Sequence, residues 1–441
     1  MDSPKHPVLN LLRTRKRVGL IAALVLLLFA LAACGSSGGG SSGGKLAAKG
    51  PITIWYSNNP QEVTWGKQVV AAWNAAHPDQ KVTGQEIPAG SSSEEVIGAA
   101  ITAGTTPALI YNTSPASVPD FQKMGGLVDL SAFPDGASYI ESRTGAAASQ
   151  YKSADGHYYQ LPWKSNPVMI FYNKAIMQKA GIDPAKPPLA TYAQFLATAR
   201  AIVKSKAAKY AIYPSPSSEF FQSWYDFYSF YAAESGGQPL VKNGASTFAD
   251  QAGTSVAQLW RTIYAEKLAG NEPYTGDAFA DAITGMELAG PWAIATYSKM
   301  SWGVAPVPTS AGMTPQETYT FSDAKNVAMY SSCKNQATAW AFLKFSTSPE
   351  QDKALLQTTG QMPMRVDLAK TYASYFAAHP SYKMFAEQAD HLVEVPNVAN
   401  SIKAWQTFRD AWTGAVIFGK GDIAAALKKA AASIDTLVSQ K

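Results

Sequence analysis

Three short extended segments alternate with two helical segments early in the chain, and this alternation limits the possible folds. The extended segments are rich in β-branched and aromatic residues. The helical segments place apolar residues three or four positions apart. The strands cover 52–56, 81–83 and 107–111, and the helices lie around Val69, Val70, Trp73 and Ala76 and over 94–103. Strand and helix in this order predict a parallel sheet covered by helices, which is an α/β fold.

Two later segments also have helical patterns. Residues 191–205 place Phe195, Leu196, Ala199 and Ile202 on one face. The last helix is predicted to begin after Asp422, a residue type that suits the N-cap position. Its apolar stripe consists of Ile423, Ala426, Leu427, Ala430, Ile434 and Leu437.

The first 33 residues have the layout of an export signal. A basic cluster at 13–17 precedes an apolar run over 18–31. This run is shorter than the roughly 18 residues that a membrane-spanning helix needs, and it fits a secretory signal. It ends in Leu31-Ala32-Ala33-Cys34-Gly35, which resembles the lipobox of bacterial lipoproteins. The resemblance implies a signal peptide over 1–33 and a lipid on Cys34. The alternative is an ordinary signal peptide with an incidental cysteine.

A tether is predicted to follow the cysteine, over residues 34–49. Its first part, 35–44, contains only Gly and Ser, and such a chain spans about 17 Å as a flexible coil. Two catalytic patterns, G-x-S-x-G and G-x-G-x-x-G, occur there by chance. Each requires a preceding strand and a following helix, so neither predicts a catalytic site.

The formal charge of +5 does not indicate a nucleic-acid partner. Five of the basic residues lie in the signal segment, and the remaining chain is close to neutral. Nucleic-acid binding would require a clustered basic face, so no nucleic-acid partner is expected. The basic residues of the signal are Lys5, Arg13, Arg15, Lys16 and Arg17.

The cysteines and histidines predict neither disulfides nor a metal site. The chain has 2 Cys and 5 His. With Cys34 lipidated, Cys333 has no partner and is expected to be a small buried hydrophobe. The histidines are scattered, and neither H-E-x-x-H nor C-x-x-C occurs, so no metal and no cofactor are expected.

Aromatic and amide residues close two of the predicted strands. Trp55 and Tyr56 end the first strand, and Tyr111 and Asn112 end the third. Ligands of open parallel sheets bind beyond the carboxyl ends of the strands. These residues are therefore binding candidates, although Trp55 suits the core equally well.

Several separated motifs point to one family. They are Gln160-Leu161-Pro162-Trp163 with Met169-Ile170-Phe171-Tyr172-Asn173-Lys174, Gly290-Pro291-Trp292-Ala293 with Gly303-Val304-Ala305-Pro306-Val307-Pro308, Gly360-Gln361-Met362-Pro363, and Val395-Pro396-Asn397-Val398 with Trp405. Their order and spacing over 50–438 resemble the maltose-binding-protein-like extracellular solute-binding proteins, which serve bacterial ABC importers of sugars.

The resemblance implies a type II periplasmic-binding-protein-like fold. Each of its two lobes is a mixed or parallel sheet flanked by helices, and hinge crossings join the lobes. Lobe one is expected over 50–163 and 310–348, and lobe two over 164–309 and 349–441. A carbohydrate is expected to bind between the lobes of a monomer. The expected partners are ABC permease subunits and, through the lipid, the outer face of the cell membrane.

The resemblance also implies the residues of the binding site. Lobe one would contribute strand-end residues, the hinge would contribute Asn166, and lobe two would contribute stacking aromatics. The ligand-binding candidates are Trp55, Ser57, Asn58, Tyr111, Asn112, Asn166, Phe221, Trp224, Tyr225, Trp292, Met362, Arg365 and Trp405. Ser57 and Asn58 replace charged residues of the maltose-specific pattern, and Asn166 replaces an acidic one. The sequence therefore departs from the maltose-specific pattern at these three positions.

A second hypothesis keeps the fold and changes the ligand to a phosphodiester, polyol or polyamine. A phosphate would require an arginine pair or a helix N-terminus in the cleft. Arg365 and Arg143 are the candidates, although both are expected to be solvated surface residues.

Two further hypotheses are an exported enzyme and a structural or adhesive lipoprotein. The S-x-x-K pattern occurs at Ser322 and Ser331, but without the S-D-N or K-T-G motifs that accompany it in penicillin-recognising enzymes. Paired carboxylates for glycoside hydrolysis remain open on sequence alone. The binding function is preferred, and no catalytic residue is predicted.

Overall fold

The computed structural model describes residues 42–57, 59–89, 92–213, 222–272, 274–314, 317–388 and 391–440. The side chains of 42–44 and 222–225 are outside this description, and so are Cys34 and the predicted signal peptide. Residues 44–441 form one compact unit. No helix in the described ranges is long and apolar enough to cross a membrane.

Strands and helices alternate from β1 to α4, and helices predominate after β12. The strands are β1 (Ile52–Tyr56), β2 (Val82–Glu86), β3 (Leu109–Thr113), β4 (Leu161–Lys164), β5 (Met169–Asn173), β6 (Tyr210–Ile212), β7 (Val241–Lys242), β8 (Ala245–Ser246), β9 (Thr284–Ala289), β10 (Trp302–Ala305), β11 (Thr320–Phe321), β12 (Lys325–Met329) and β13 (Leu392–Val393). The helices of the first half are α1 (Ser42–Ala47), α2 (Pro60–Ala76), α3 (Ser93–Ala103), α4 (Val118–Lys123), α5 (Gly136–Thr144), α6 (Lys174–Lys179), α7 (Tyr192–Lys204) and α8 (Gln222–Glu234). Those of the second half are α9 (Gln251–Ala265), α10 (Trp292–Thr296), α11 (Gln336–Ser346), α12 (Pro349–Thr359), α13 (Leu368–Thr371), α14 (Ala373–Ala378), α15 (Pro380–Glu387), α16 (Ser401–Trp412) and α17 (Ile423–Ser439).

The first sheet has the strand order β2-β1-β3-β12-β4. Strands β2 and β3 run parallel to β1, which confirms the parallel arrangement predicted for the early strands. Strand β12 comes from much later in the chain and is antiparallel to both β3 and β4. The sheet is therefore mixed, and chain segments that are distant in sequence complete it.

Local capping explains why the helices of this sheet begin where they do. Asn59 Oδ1 accepts the backbone N–H groups of Gln61 and Glu62 at 2.9 and 3.2 Å, and Pro60 occupies the first turn of α2. Ser92 caps α3 in the same way, with 3.2 Å to the N–H of Glu95. These caps satisfy N–H groups that the helix cannot pair internally. As a result, the N-terminus of α2 is held directly after β1.

The second sheet has the order β10-β5-β9-β6. Its largest hydrophobic cluster is rich in aromatic residues, with Phe227, Phe408 and Trp412 in mutual ring contact. The predicted helix at 191–205 is confirmed as α7, with Thr191 in a capping box. The predicted cap at Asp422 is confirmed by a 2.8 Å hydrogen bond from the N–H of Ala425.

Three chain segments connect the two sheets. Residues 165–168 join β4 to β5, residues 306–314 and 317–324 lie between β10 and β12 in the chain, and the loop after α12 passes beside them. The segments are bonded to one another, since Ser165 N donates to Met362 O at 2.9 Å and Met364 N donates to Trp163 O at 2.9 Å. These crossings are the hinge expected for a two-lobed α/β fold.

The prediction that Arg143 and Arg365 are solvated surface residues is wrong. Arg143 is 2 % exposed, and its guanidinium bonds both carboxylate oxygens of Asp352 at 2.9 and 3.0 Å. Arg365 Nε donates to the same carboxylate at 2.8 Å. A buried charge requires a partner of opposite charge, and Asp352 on α12 provides it for both arginines. Cys333 is a free, buried thiol, as predicted.

Candidate functional site

A cavity of about 180 Å³ lies at the carboxyl ends of β1 and β3. It is called the front cavity here. The first sheet, the hinge segments and α10, the helix that follows β9 of the second sheet, all contribute to it. It is lined by Ser57, Asn59, Glu62, Asn112, Lys164, Trp292, Asp323, Lys325 and Gln361. This is the position at which open α/β sheets bind ligands.

Glu62 is the centre of the polar wall. It is 4 % exposed and lies in the first turn of α2. Its Oε2 accepts the hydroxyl of Ser57 at 2.6 Å, and its Oε1 accepts Gln361 Nε2 at 2.7 Å. Lys164 Nζ also donates to Oε1. The carboxylate therefore joins β1, β4 and the hinge loop in one hydrogen-bonded group.

The charge state of Glu62 follows from these contacts. Burial by itself raises the pKa of a carboxyl, but the charge of Lys164 and the hydrogen bonds from Lys164, Ser57 and Gln361 outweigh it. The pKa of Glu62 is consequently below its ordinary value. At neutral pH the wall presents an ionised carboxylate to the cavity.

A second ion pair lies beside the first. Lys325 Nζ, at the start of β12, donates to Asp323 Oδ1 at 2.7 Å. Burial lowers the pKa of Lys325, but the charge and hydrogen bond of Asp323 outweigh it and raise the pKa. Each of the two lysines is thus matched by a carboxylate, and the cavity has no uncompensated positive charge among its lining side chains.

Asn112 has a left-handed backbone conformation at the cavity. Its φ is +63°, in a region that asparagine adopts more readily than most residues other than glycine. Its Oδ1 is buried and has no hydrogen-bond partner among the described residues. Buried polar atoms are normally hydrogen-bonded, which makes Asn112 a candidate for contact with a ligand.

Trp292 provides the apolar part of the wall. It begins α10, is partly buried, and lies beside Gly290. A side chain at position 290 would collide with the indole ring, so the glycine permits the ring to fold over the chain. This contact explains why glycine is the first residue of the G-P-W motif.

The structure brings only some of the predicted residues to the front cavity. Ser57, Asn112 and Trp292 line it. Asn166 is 1 % exposed and bonds the hinge, donating to Gln361 Oε1 at 3.2 Å and accepting Met362 N at 3.2 Å. Asn166 therefore does not line the cavity, but its hydrogen bond holds Gln361, which does.

Other predicted residues lie elsewhere. Trp55 packs in a hydrophobic cluster, Tyr111 packs between two tryptophans, and Trp405 is 0 % exposed in the core of the second sheet. Met362 and Arg365 line a different cavity. Asn58 and Phe221 lie outside the described residues, as do the side chains of Trp224 and Tyr225.

Most of the charged wall was not predicted from the sequence. Glu62, Lys164, Asp323, Lys325 and Asn59 were not predicted, and Gln361 appeared only as part of a motif. One available signal was Lys164, a charged residue that ends an otherwise apolar strand. Within the described ranges, no three His, Cys, Asp or Glu residues lie close enough together to hold a metal ion.

Known proteins with similar sequences are binding proteins. The diacetylchitobiose binding protein DasA of Streptomyces coelicolor is 26% identical over 381 residues, which cover 81% of this chain and 85% of that protein. The maltooligosaccharide ABC transporter solute-binding lipoprotein of Streptococcus pneumoniae is 23% identical, covering 66% of this chain and 68% of the relative.

The fold is also similar to that of solved structures. The GacH receptor of Streptomyces glaucescens, whose structures include a complex with acarbose, superimposes with a TM-score of 0.73 at 23% identity. The match covers 89% of this chain and 99% of the receptor. The sequence profile described as bacterial extracellular solute-binding protein matches residues 57–353. This chain therefore belongs to the family of bacterial extracellular solute-binding proteins.

Proposed function

We propose that this protein binds a carbohydrate in the front cavity and delivers it to an ABC importer. The observation that carries the proposal is the pairing of Trp292 with a polar wall at the carboxyl ends of β1 and β3. The relatives support it, because two of them are named for an oligosaccharide they bind.

The chemistry of the wall suits a sugar. A pyranose has an apolar C–H face, which an indole ring covers, and a rim of hydroxyl groups. Glu62 and Asp323 are acceptors for hydroxyl groups, Lys164 and Lys325 are donors, and Asn112 offers an unpaired acceptor. A micromolar site needs about −8 kcal/mol, which a stacked ring and several hydrogen bonds can provide once the cleft closes.

Closure is the proposed signal to the importer. The front cavity is lined by residues of the first sheet and by Trp292 of α10, which follows β9 of the second sheet, so a sugar bound to both makes contacts that strengthen as the lobes approach each other. Ligand binding then shifts the equilibrium towards the closed state. The permease would distinguish loaded from empty protein by this shape.

The proposed lobe boundaries are those expected from the family. The second sheet lies within the range of lobe two, and the first sheet lies within that of lobe one except for Lys164, the last residue of β4. Strand β11, inside the range of lobe one, pairs with β13 of lobe two. Helix α12 lies just inside the range predicted for lobe two, yet it contacts lobe one: Trp65 Nε1 of α2 donates to Gln351 O of α12 at 3.3 Å. This contact supports a third crossing after Thr359 rather than at residue 349.

We also propose that a lipid on Cys34 anchors the protein outside the cell membrane. The support is the lipobox-like sequence, the Gly/Ser tether and a relative named as a lipoprotein. Anchoring would keep the binding unit near the permease and raise its effective concentration there. A monomer suffices for this role.

We do not propose catalysis. A glycosidase needs one carboxyl held protonated as a general acid beside a second, ionised one. Here the pKa of Glu62 is lowered, and Asp323 is paired with Lys325. A phosphodiester is also disfavoured as the ligand, because Arg143 and Arg365 are bonded to Asp352 and do not line the front cavity.

Calorimetry of the purified protein against maltotriose, diacetylchitobiose, monosaccharides and glycerol phosphodiesters tests the proposal. We expect micromolar binding of at least one saccharide, with an affinity that changes little when the salt concentration is raised. Binding of the phosphodiester alone, with an affinity that falls steeply as the salt concentration rises, would show that the ligand is an anion and not a carbohydrate.

A further inference from the structure

The amino ends of β1, β2 and β3 lie at the edge of the first sheet that is opposite to the front cavity, because the three strands run parallel. Strand β12 is antiparallel to β3, so its carboxyl end lies at the same edge. The turn after α4 joins them, since Ser331 N donates to Gly126 O at 2.9 Å. The surface formed there is called the basic end, and its segments are 45–51, 77–81, 104–108, 123–127 and 330–335.

Positive charge is concentrated at the basic end. Its five segments contain five lysines and one acidic residue, a formal charge of +4. The chain from Cys34 onwards carries +1, because the predicted signal accounts for +4 of the total of +5. The rest of that chain therefore carries −3, and such a separation of charge orients a protein at a surface of opposite charge. The charged residues of the basic end are Lys45, Lys49, Lys81, Lys123, Lys334 and Asp79, and all five lysines are exposed.

A cavity of about 340 Å³ opens at the basic end. Thr53 and Thr83 line it and are direct neighbours in the parallel pair of β1 and β2, so their hydroxyl groups lie on the same face of the sheet. Ser332 and Lys334 also line the cavity, and none of the described residues that line it is acidic. Hydroxyl groups and an ammonium group are hydrogen-bond donors that suit a phosphate. The front cavity uses none of these residues.

The proposed lipid on Cys34 would keep the basic end close to a membrane. Cys34 precedes Lys45 by 11 positions, and a chain of that length spans at most about 40 Å. The basic end also carries Met124, an apolar side chain that is 46 % exposed and follows Lys123. Lysines beside an exposed apolar side chain are typical of surfaces that lie in the interface of a membrane.

We propose that the basic end docks on the surface of an anionic phospholipid bilayer, with the phosphate of one headgroup in the cavity lined by Thr53, Thr83 and Lys334. This inference goes beyond carbohydrate binding, and it uses the proposed lipid on Cys34 only as the reason that a bilayer is near. Each lysine close to an anionic membrane strengthens binding about five-fold.

Docking in this way orients the front cavity. The basic end and the front cavity lie at opposite ends of β1, which has five residues and is therefore about 17 Å long. When the basic end lies on the bilayer, the front cavity faces away from it. Solute then reaches the cavity from the side opposite to the membrane.

Hydrogen exchange of the backbone amides, measured by mass spectrometry on the full chain, tests the docking. The protein is mixed with vesicles of phosphatidylglycerol and phosphatidylcholine in equal amounts, or of phosphatidylcholine alone. We expect slower exchange at 77–81, 123–127 and 330–335 with the anionic vesicles only, and no slowing at high salt. The reference is the loop 418–421, which carries the exposed Phe418 beside Lys420 on the other side of the molecule's sequence.

Three variants locate the contact. The extent of slowing gives the ratio of docked to free molecules, and Lys334→Gln should lower this ratio about five-fold. Lys428→Gln is the matched control, because Lys428 is an equally exposed lysine on α17, and it should leave the ratio unchanged. Thr83→Val keeps every charge and removes one hydroxyl group from the cavity, and it should lower the ratio about five-fold.

Exchange that does not depend on phosphatidylglycerol, or slowing at 418–421 in place of the basic end, would overturn the docking. Equal effects of Lys334→Gln and Lys428→Gln would overturn its assignment to the basic end, and an unchanged ratio in Thr83→Val would remove the headgroup from the cavity. Inorganic phosphate that slows the same segments equally without vesicles would show that the occupant is a free anion. The saccharide affinity should be the same in all three variants, so failure of the docking leaves the carbohydrate proposal standing.

Discussion

Gln361 Nε2 donates to Glu62 Oε1 at 2.7 Å and so joins the hinge loop to the N-terminus of α2. The same carboxylate holds Lys164, which is 1 % exposed. The polar wall of the front cavity thus contains a buried ion pair. The pair lines the proposed binding site and also stabilises the fold. Removing one partner of such a pair leaves the other charge buried and uncompensated.

Glu62→Gln should therefore destabilise the protein by about 3–5 kcal/mol, because Lys164 loses its carboxylate while it remains buried. Urea unfolding followed by fluorescence measures the change. The control is Glu266→Gln, which breaks the exposed pair with Arg200 and should cost less than about 1 kcal/mol. Equal effects of the two substitutions would contradict the structural role of Glu62.

Asn112→Gly should leave the free energy of unfolding within about 1 kcal/mol of the original value, since glycine accepts the left-handed backbone at φ +63°. The affinity for the bound saccharide should fall about five-fold, because an acceptor is lost. Asn243→Gly is the matched control, with φ +53° in an exposed turn. A similar loss of affinity in both variants would show that Asn112 does not contact the ligand.

Stability should depend on pH through Glu394. Burial raises its pKa to about 8 in the folded protein, above the ordinary value of about 4.3. Between these two values the unfolded chain has released the proton and the folded chain retains it, so stability falls as the pH rises. The slope approaches about 1.4 kcal/mol per pH unit.

Glu394→Gln removes this contribution and should flatten the curve by that amount between about pH 5 and pH 8. Glu287, whose pKa burial also raises to about 8, is present in both proteins. Its contribution to the pH dependence is the same in both, so the difference between the two curves reports Glu394. Urea unfolding of both proteins across the pH range measures the difference. Parallel curves would mean that Glu394 is ionised in the folded protein.

Cys34→Ser should release the protein from the membrane fraction and leave its saccharide affinity unchanged, because the proposed anchor precedes every residue that lines the front cavity. Cell fractionation and calorimetry measure the two properties. Cys333→Ser, which alters the buried thiol, should keep the protein on the membrane. Release by both substitutions, or by neither, would contradict lipidation of Cys34.

The local patterns of the sequence predicted the early strands and helices well. Residues 52–56 form β1 at the predicted bounds, because β-branched and aromatic residues favour a strand that pairs on both sides. The antiparallel β12 was not predicted, since its pairing with β3 joins distant segments. Local periodicity contains no information about such a pairing.

Local sequence patterns also limited what could be predicted of the site, because they contain no information about contacts between distant segments. Asn112 and Trp292, which line the front cavity, were predicted as binding residues because an amide at a strand end and a G-P-W motif are visible in the sequence. Glu62 and Lys164 are separated by 102 positions, and only folding brings them together. Trp405 suits both a core and a binding surface by its residue type, and the structure buries it.

The most direct test of the account is calorimetry of wild-type protein and Trp292→Ala with the saccharide that binds best. We expect micromolar binding to the wild type and a loss of about 2 kcal/mol, or about 30-fold in affinity, in the variant, because the apolar face of the sugar loses its stacking partner. Unchanged affinity in a folded Trp292→Ala variant, or a folded wild type that binds no saccharide, would contradict the proposal that the front cavity is a carbohydrate site.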